Sequence, residues 1–389
     1  MSWKETDAMR QRAEFVVRAL QRTQSLSALC REYRISRKTG YKWLRRYEQV
    51  GRLQELGEQS RRPHHSPSQT SEELELLVER LRQEYGWGSK KLRCLLEREH
   101  GVTLPAVTIH RILKRRGLVV ASERLRPAVR RFERAQPNEL WQMDFKGDFA
   151  FSPSGGRCYP LSILDDHSRF AVGLYGLSDI GHDSAQRSLT DCFERYGVPE
   201  AMLMDHGVPW WSTTNGHGLT RLAVFLIGQG IELLHGAIRH PQTQGKVERF
   251  HRTLDQTLRF WGLPKSWRGF QDALTKFRQQ YNEQRPHEAL GMAVPASRYQ
   301  PSRRAFQPDP PEWEYPFGAD VRKLNSAGCV DYQGYRYFVC EALAGQRVWC
   351  QPFAQRVLVH YRQTPIRELD LTAGRTTAVV LPALPDTQS

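Results

Sequence analysis

Nowhere in this chain do about eighteen apolar residues follow one another, so no segment can cross a bilayer as a helix. The opening MSWKETDAMRQRAEF is charged from its start and lacks the apolar stretch of a secretion signal, which predicts a cytoplasmic protein away from membranes. Its 7 cysteines (Cys30, Cys94, Cys158, Cys192, Cys329, Cys340 and Cys350) are odd in number and contain no CxxC pair. That excludes a disulfide framework and a zinc finger and leaves buried free thiols. His251 and His287 lack partners at ligand spacing, so zinc is not expected. No G-x-S-x-G motif is present to carry a serine nucleophile, and no G-x-x-x-x-G-K-[ST] loop to cradle ATP.

What is present is enough to build cores: 39% hydrophobic residues, with Trp 10 and Phe 16 in a chain of 389. That length suggests roughly two to four domains. Net charge is +15, with a pI near 9.7, and nearly all of the excess lies in residues 1–137, which hold 30 Lys/Arg against 16 Asp/Glu. An asymmetry this large points to a polyanionic partner and favours a nucleic-acid arm. A basic membrane-surface helix fits less well, because turns break the segment and it has no long apolar face.

Residues 10–56 read as a helix-turn-helix domain. Phe15, Val16, Ala19 and Leu20 recur at helical spacing, and Ser25 and Ser36 can cap the two helices on either side of a tight turn at Arg34-Ile35. Leu26, Ala28, Leu29, Tyr33, Ile35, Tyr41 and Leu44 are expected inside, with Arg37, Lys38, Lys42, Arg45 and Arg46 outward for DNA; a solvated helical hairpin is the alternative. Residues 57–70 form a basic Pro/Ser linker, in which Arg61 and Arg62 either enter a minor groove or are plain linker charges. Residues 71–118 make a second helix-turn-helix domain, whose third helix offers Thr108, His110, Arg111, Lys114, Arg115 and Arg116. Two such units suit a bipartite DNA site. A linker at 119–136 leads to a core at 137–300, where ELWQMDFKGDFAF alternates and later strands alternate with helices, an α/β pattern. Past a Pro-rich break, residues 319–373 show short alternating runs that predict a small β-barrel, docking on DNA or on a partner subunit. The fold class expected is therefore multidomain α/β.

Cutting and joining phosphodiesters needs an attacking oxygen, a stabilised leaving oxygen and charge neutralisation at phosphorus, which two Mg²⁺ ions roughly 4 Å apart supply together. Mg²⁺ takes hard oxygen ligands and keeps waters, so a few carboxylates suffice. Asp144 is a charge among apolar neighbours in an alternating strand, Asp205 ends another strand, and Glu248 lies on a helix that can turn one face to the sheet. Asp165 and Asp166 form a second acidic pair, read as pinning a turn with Ser168 and Arg169.

The motifs W-x-x-D-F (Trp141 to Phe145), D-x-G-x-P-W (Asp205 to Trp210) and H-P-x-x-x-G-K-x-E-R (His240 to Arg249) occur in order. With L-D-D-x-S-R (Leu164 to Arg169) and Y-N-x-x-R-P-H-x-A-L (Tyr281 to Leu290), the set resembles bacterial insertion-sequence DDE transposases of the retroviral-integrase superfamily, over about residues 10–300. The resemblance implies an RNase H-like core, with Asp144, Asp205 and Glu248 as catalytic residues and ligands of two Mg²⁺, for which Mn²⁺ can substitute. It further implies water attack that frees a 3′-OH, attack of that hydroxyl on target DNA, and a homo-oligomer, at least a dimer, pairing two transposon ends. Lys246 falls where the family sets a basic residue beside the DNA, with Arg249 and Arg252 on the same helix. Gly245 either admits DNA backbone or eases the helix start, and His240 either touches DNA or caps. Two departures stand out: His206 replaces the family's usual Asn, and the 42 residues between Asp205 and Glu248 exceed the usual spacing, with PWWSTTNGHGLTR as the extra loop. An inert integrase-like fold in a DNA-binding regulator and a nuclease that does not join strands are the alternatives.

Overall fold

The computed structural model describes residues 8–53, 56–58, 70–119, 133–150, 156–205, 207, 209–212, 218–235 and 245–379, and the chain divides into two units, Met1–Ser71 and Glu72–Ser389. Arg61, Arg62, His206 and His240, with part of the long loop after Asp205, lie outside the described residues.

The first unit holds α1 (Ala8–Gln21), α2 (Leu26–Glu32) and α3 (Arg37–Val50). Ser25 Oγ accepts from Ala28 N and Ser36 Oγ from Thr39 N, each satisfying a first-turn amide. The turn between α2 and α3 puts Arg34 at φ 53 and closes on Ile35 N to Cys30 O, 2.9 Å. α2 and α3 cross so closely that a Cβ on Gly40 would lie 2.7 Å from Cys30 Sγ. Phe15, Val16, Leu29, Cys30 and Trp43 form the core. Tyr41, expected inside, is 54% exposed; Trp43, two residues on, fills the core instead, because the inward face of α3 runs through Gly40 and Trp43.

The second unit begins with α4 (Glu72–Tyr85), α5 (Ser89–His100) and α6 (Ala106–Arg115), closed around Val78, Leu92, Leu95, Ile109 and Ile112. Buried Glu75 pairs with Arg115 at 2.9 Å and Arg116 at 3.5 Å, tying α6 to α4.

The sheet that follows comprises β1 (Leu140–Phe145), β2 (Phe149–Ala150), β3 (Arg157–Asp165), β4 (Ala171–Leu177), β5 (Ala201–Met204) and β8 (Glu232–His235). Its long strands are ordered β4-β3-β1-β5-β8, with β3 antiparallel to both neighbours and β1, β5 and β8 parallel; β2 extends β3 at Cys158. The helices are α7 (His182–Tyr196), α8 (Arg221–Gly228), α9 (Gly245–Trp261) and α10 (Trp267–Gln279), and a short hairpin joins β6 (Trp211–Ser212) to β7 (Gly218–Leu219). Alternation along the strands sorts the faces. Trp141, Met143, Leu161 and Ile163 pack with α7 and α8, whereas Cys158, Leu164 and Leu174 pack with α9 and α10. Gln142 and Asp144 therefore face the α9 side. The result is an α/β core with a mixed sheet.

At the C-terminal end, β9 (Val321–Lys323), β12 (Arg347–Phe353), β13 (Arg356–Tyr361), β14 (Thr364–Asp370) and β15 (Arg375–Ala378) form an antiparallel sheet ordered β15-β14-β13-β12-β9, beside a hairpin of β10 (Cys329–Tyr332) and β11 (Tyr335–Phe338). The barrel expected there does not close: among the described residues β15 and β9 end the sheet unpaired with one another. Alternating strands need only one covered face, and the β10–β11 hairpin supplies part of that cover through Val330, Tyr332 and Tyr337. Arg362 donates to Gly228 O at 2.7 Å and binds this sheet to α8. No helix among the described residues is long and apolar enough to cross a membrane.

Candidate active site

Asp144 stands on β1 opposite Ser162 of β3, so both side chains leave the sheet on the α9 side. Asp205 follows β5 directly, where its Oδ1 accepts from Gly207 N at 2.9 Å and His235 Nδ1 meets its carbonyl at 3.1 Å. Glu248 lies in the first turn of α9. Burial, then the charge of Asp205, and more weakly that of Glu248, push Asp144 up to about 7, against a lowering backbone hydrogen bond at Phe145. The charges of two carboxylates, from the end of β5 and from α9, thus reach the third on β1. The three offer only hard oxygen donors, the donor set that Mg²⁺ takes. Asp205 and Glu248 are exposed, and among the described residues no three His, Cys, Asp or Glu side chains stand close enough to hold a metal as they are.

α9 also brings His251, which sequence reading set aside. Its Nδ1 lies 3.8 Å from Asp144 Oδ2, and its Nε2 meets Ser162 Oγ at 3.0 Å. Burial, then the charge of Lys146, pushes the imidazole down to about 3, so the ring is neutral. Its signal was available: position 251 is three residues after Glu248, on the same helix face.

Lys246 differs from expectation. Its ammonium is half-buried and paired with Asp166 Oδ1 at 2.5 Å, and burial, opposed by that carboxylate, brings it down to about 8. Arg249 and Arg252, on the same helix, are exposed. Of the outward cations of α3, Arg37, Lys38, Lys42 and Arg45 are exposed, as are His110, Arg111 and Lys114 of α6. Arg46 is buried instead, donating to Gly57 O at 2.6 Å and lying 5.3 Å from the Trp43 ring.

The remaining motifs brace the site. Asp165 accepts from Ser168 N (2.8 Å), Ser168 Oγ (2.6 Å) and Asn138 N (2.8 Å), and Asn138 Oδ1 holds Trp141 Nε1 at 3.0 Å. Phe145 stacks on Trp210 at 5.7 Å. Tyr281 packs edge-on against Phe250 of α9 at 4.8 Å, while Asn282 bonds both backbone groups of Ala171 at 2.8 and 3.0 Å.

The Integrase core domain family matches residues 134–241 and, by a second description, 229–295. A Helix-turn-helix domain matches 11–64 and a Homeodomain-like domain 39–113. The chain is 30% identical over 230 residues to the insertion element IS407 uncharacterized 31.7 kDa protein of Burkholderia multivorans, covering 57% of this chain and 78% of that one. It is 26% identical over 239 residues to the transposase for transposon Tn552 of Staphylococcus aureus, covering 53% and 47%. Among solved structures, the simian T-cell lymphotropic virus intasome in complex with PP2A regulatory subunit B56 gamma is similar at a TM-score of 0.39 and 14% identity, over 78% of this chain and 99% of that one.

Proposed function

Because the chain belongs to the insertion-sequence transposases of the retroviral-integrase superfamily, we propose that it binds transposon ends, cuts them and joins them to target DNA, with Asp144, Asp205 and Glu248 as the metal-binding catalytic carboxylates. The observation that carries this reading is that the three motif carboxylates stand on β1, at the end of the neighbouring strand β5 and in the first turn of α9, with the charges of Asp205 and Glu248 acting on buried Asp144.

Bound Mg²⁺ would supply charge neutralisation and a nucleophilic oxygen. The chain's own residues do the rest. β1 and the end of β5 set two carboxylates at the edge of a rigid sheet, and α9 brings the third. His251 and Ser162 flank Asp144. Arg249 and Arg252 present exposed cations on the helix of Glu248, where a DNA phosphate can be held in line with the carboxylates. Arg37, Lys38, Lys42, Arg45, His110, Arg111 and Lys114 serve the element end as the sequence-reading units, and pairing two ends asks for at least a dimer.

The test is Mg²⁺-dependent nicking, and then strand transfer, on an oligonucleotide carrying the element's inverted repeat. Asp144→Asn, Asp205→Asn and Glu248→Gln should each remove both products and leave end binding intact by gel shift. A variant that still cuts at the wild-type rate removes its residue from the site, and nicking without transfer product makes the protein a nuclease.

A further inference from the structure

The acidic pair at the β3–β4 turn divides its labour. Asp165 holds its own turn through Ser168 and the lead into β1 through Asn138 N, whereas Asp166, fully buried, reaches β1 and α9 with its side chain. Its Oδ1 accepts from Gln142 Nε2 at 2.7 Å and from Lys246 Nζ at 2.5 Å. Its Oδ2 accepts from Arg134 N at 2.8 Å, and its own N donates to Leu140 O at 2.9 Å. Gln142 lies on β1 two residues before Asp144 and on the same face. Lys246 lies in α9 two residues before Glu248. One carboxylate oxygen therefore joins the strand of one candidate catalytic residue to the helix of another.

We propose that Asp166 is a positioning residue of the active site, and that Lys246 works through it rather than on DNA: together they fix the separation of Asp144 and Glu248. Sheet hydrogen bonds hold β1 rigidly, whereas the first turn of α9 meets the sheet through side-chain contacts. Val247 and Phe250 bury that turn without fixing its slide along the sheet, because apolar contact is not directional. A charge-assisted bond to a buried carboxylate is both short and directional. Partners that orient ligands commonly govern metal affinity or rate by about 10–100-fold.

This inference rests on the reading of Asp144, Asp205 and Glu248 as the ligand set, and the experiment keeps the two apart. Mn²⁺ affinity of the full, DNA-free chain is measured by water-proton relaxation for the wild type and for Asp166→Asn, Lys246→Met, Lys246→Arg and the double Asp166→Asn/Lys246→Met. End binding is measured across a salt series. The expected result is Mn²⁺ binding weakened about 10-fold or more in Asp166→Asn and Lys246→Met, with the double no weaker than the worse single. Lys246→Arg, still able to pair with a carboxylate, restores most of the affinity, and end binding and its salt slope stay at the wild-type values. Should Asp166→Asn fail to fold, the two Lys246 variants carry the comparison. Wild-type Mn²⁺ affinity in Lys246→Met overturns the proposal, above all if its salt slope falls by about 0.9, the mark of one lost phosphate contact. A wild type that binds Mn²⁺ but cuts no DNA sinks the proposed reaction and leaves the strut standing; one that binds no Mn²⁺ sinks both.

Discussion

His251 Nδ1 lies 3.8 Å from Asp144 Oδ2 while the other nitrogen of the ring meets Ser162 Oγ at 3.0 Å. The first distance is beyond hydrogen-bond reach, so the ring acts as a neutral wall beside the carboxylate, pinned by the serine. His251→Ala should open that wall to water and loosen Asp144. Single-turnover nicking should fall about 10-fold, within the range seen for partners that orient ligands, with end binding unchanged. An unaltered nicking rate would show that the ring only fills space.

Asp144 makes a prediction about the metal-free protein. A carboxyl raised from 3.8 to about 7 on folding binds its proton more tightly in the folded state. Its contribution is complete below pH 3.8 and is lost as pH rises through about 7. With chelator present, Asp144→Asn should therefore melt higher than wild type at pH 8, by about 3 °C for a kilocalorie-scale gain, and by clearly less at pH 5, early in the window. Calorimetric melts at the two pH values decide it; a variant that melts lower at pH 8 removes the charge-crowding account.

The elements that carry the three motif carboxylates were legible because local pattern fixes each: alternation around Asp144, a strand end at Asp205, a helix start at Glu248. Ser25 and Ser36 were legible for the same reason, since caps act within three residues. What escaped was set by long-range partners. The pairing of Lys246 was illegible because its carboxylate, Asp166, is 80 residues away. Tyr41 was expected inside because it is apolar enough to bury, but the face of α3 is chosen by the close approach of Gly40 to Cys30, which turns Trp43 inward and Tyr41 out. The barrel failed because alternation reports one covered face and says nothing about closure.

The cations of α3 separate by that same geometry. Lys38, Lys42 and Arg45 share a face at i, i+4 and i+7 and are exposed. Replacing all three with Ala should flatten the salt dependence of end binding by about 2.7, near 0.9 for each phosphate contact, without shifting the melting point. Arg46→Ala should do the reverse, lowering Tm through its lost bond to Gly57 O and its packing on Trp43 while leaving the slope alone. Arg46→Ala with a reduced slope and an unchanged Tm would mean that the face has been misassigned.

Lys91 gives the last test, at the seam where α5 meets the core. Arg98 Nη2 donates to Gln284 O there at 3.0 Å, and the Arg285 guanidinium lies 5.7 Å from the Trp87 ring. Burial, then the charges of Arg285 and Arg249, pushes the Lys91 ammonium down from 10.5 to about 7, and Glu288 offsets only part of this. Between those values the unfolded chain keeps a proton that the folded chain has shed, so stability rises with pH across the window. The cost of the buried charge is full below about pH 7 and has gone above pH 10.5. Lys91→Met keeps the apolar stem and removes the charge, so it should raise Tm by about 2 °C or more at pH 6 and leave it nearly unchanged at pH 10. Equal shifts at both pH values would mean that packing, not charge, separates the two side chains. A lower Tm at pH 6 would show that the ammonium is satisfied where it lies.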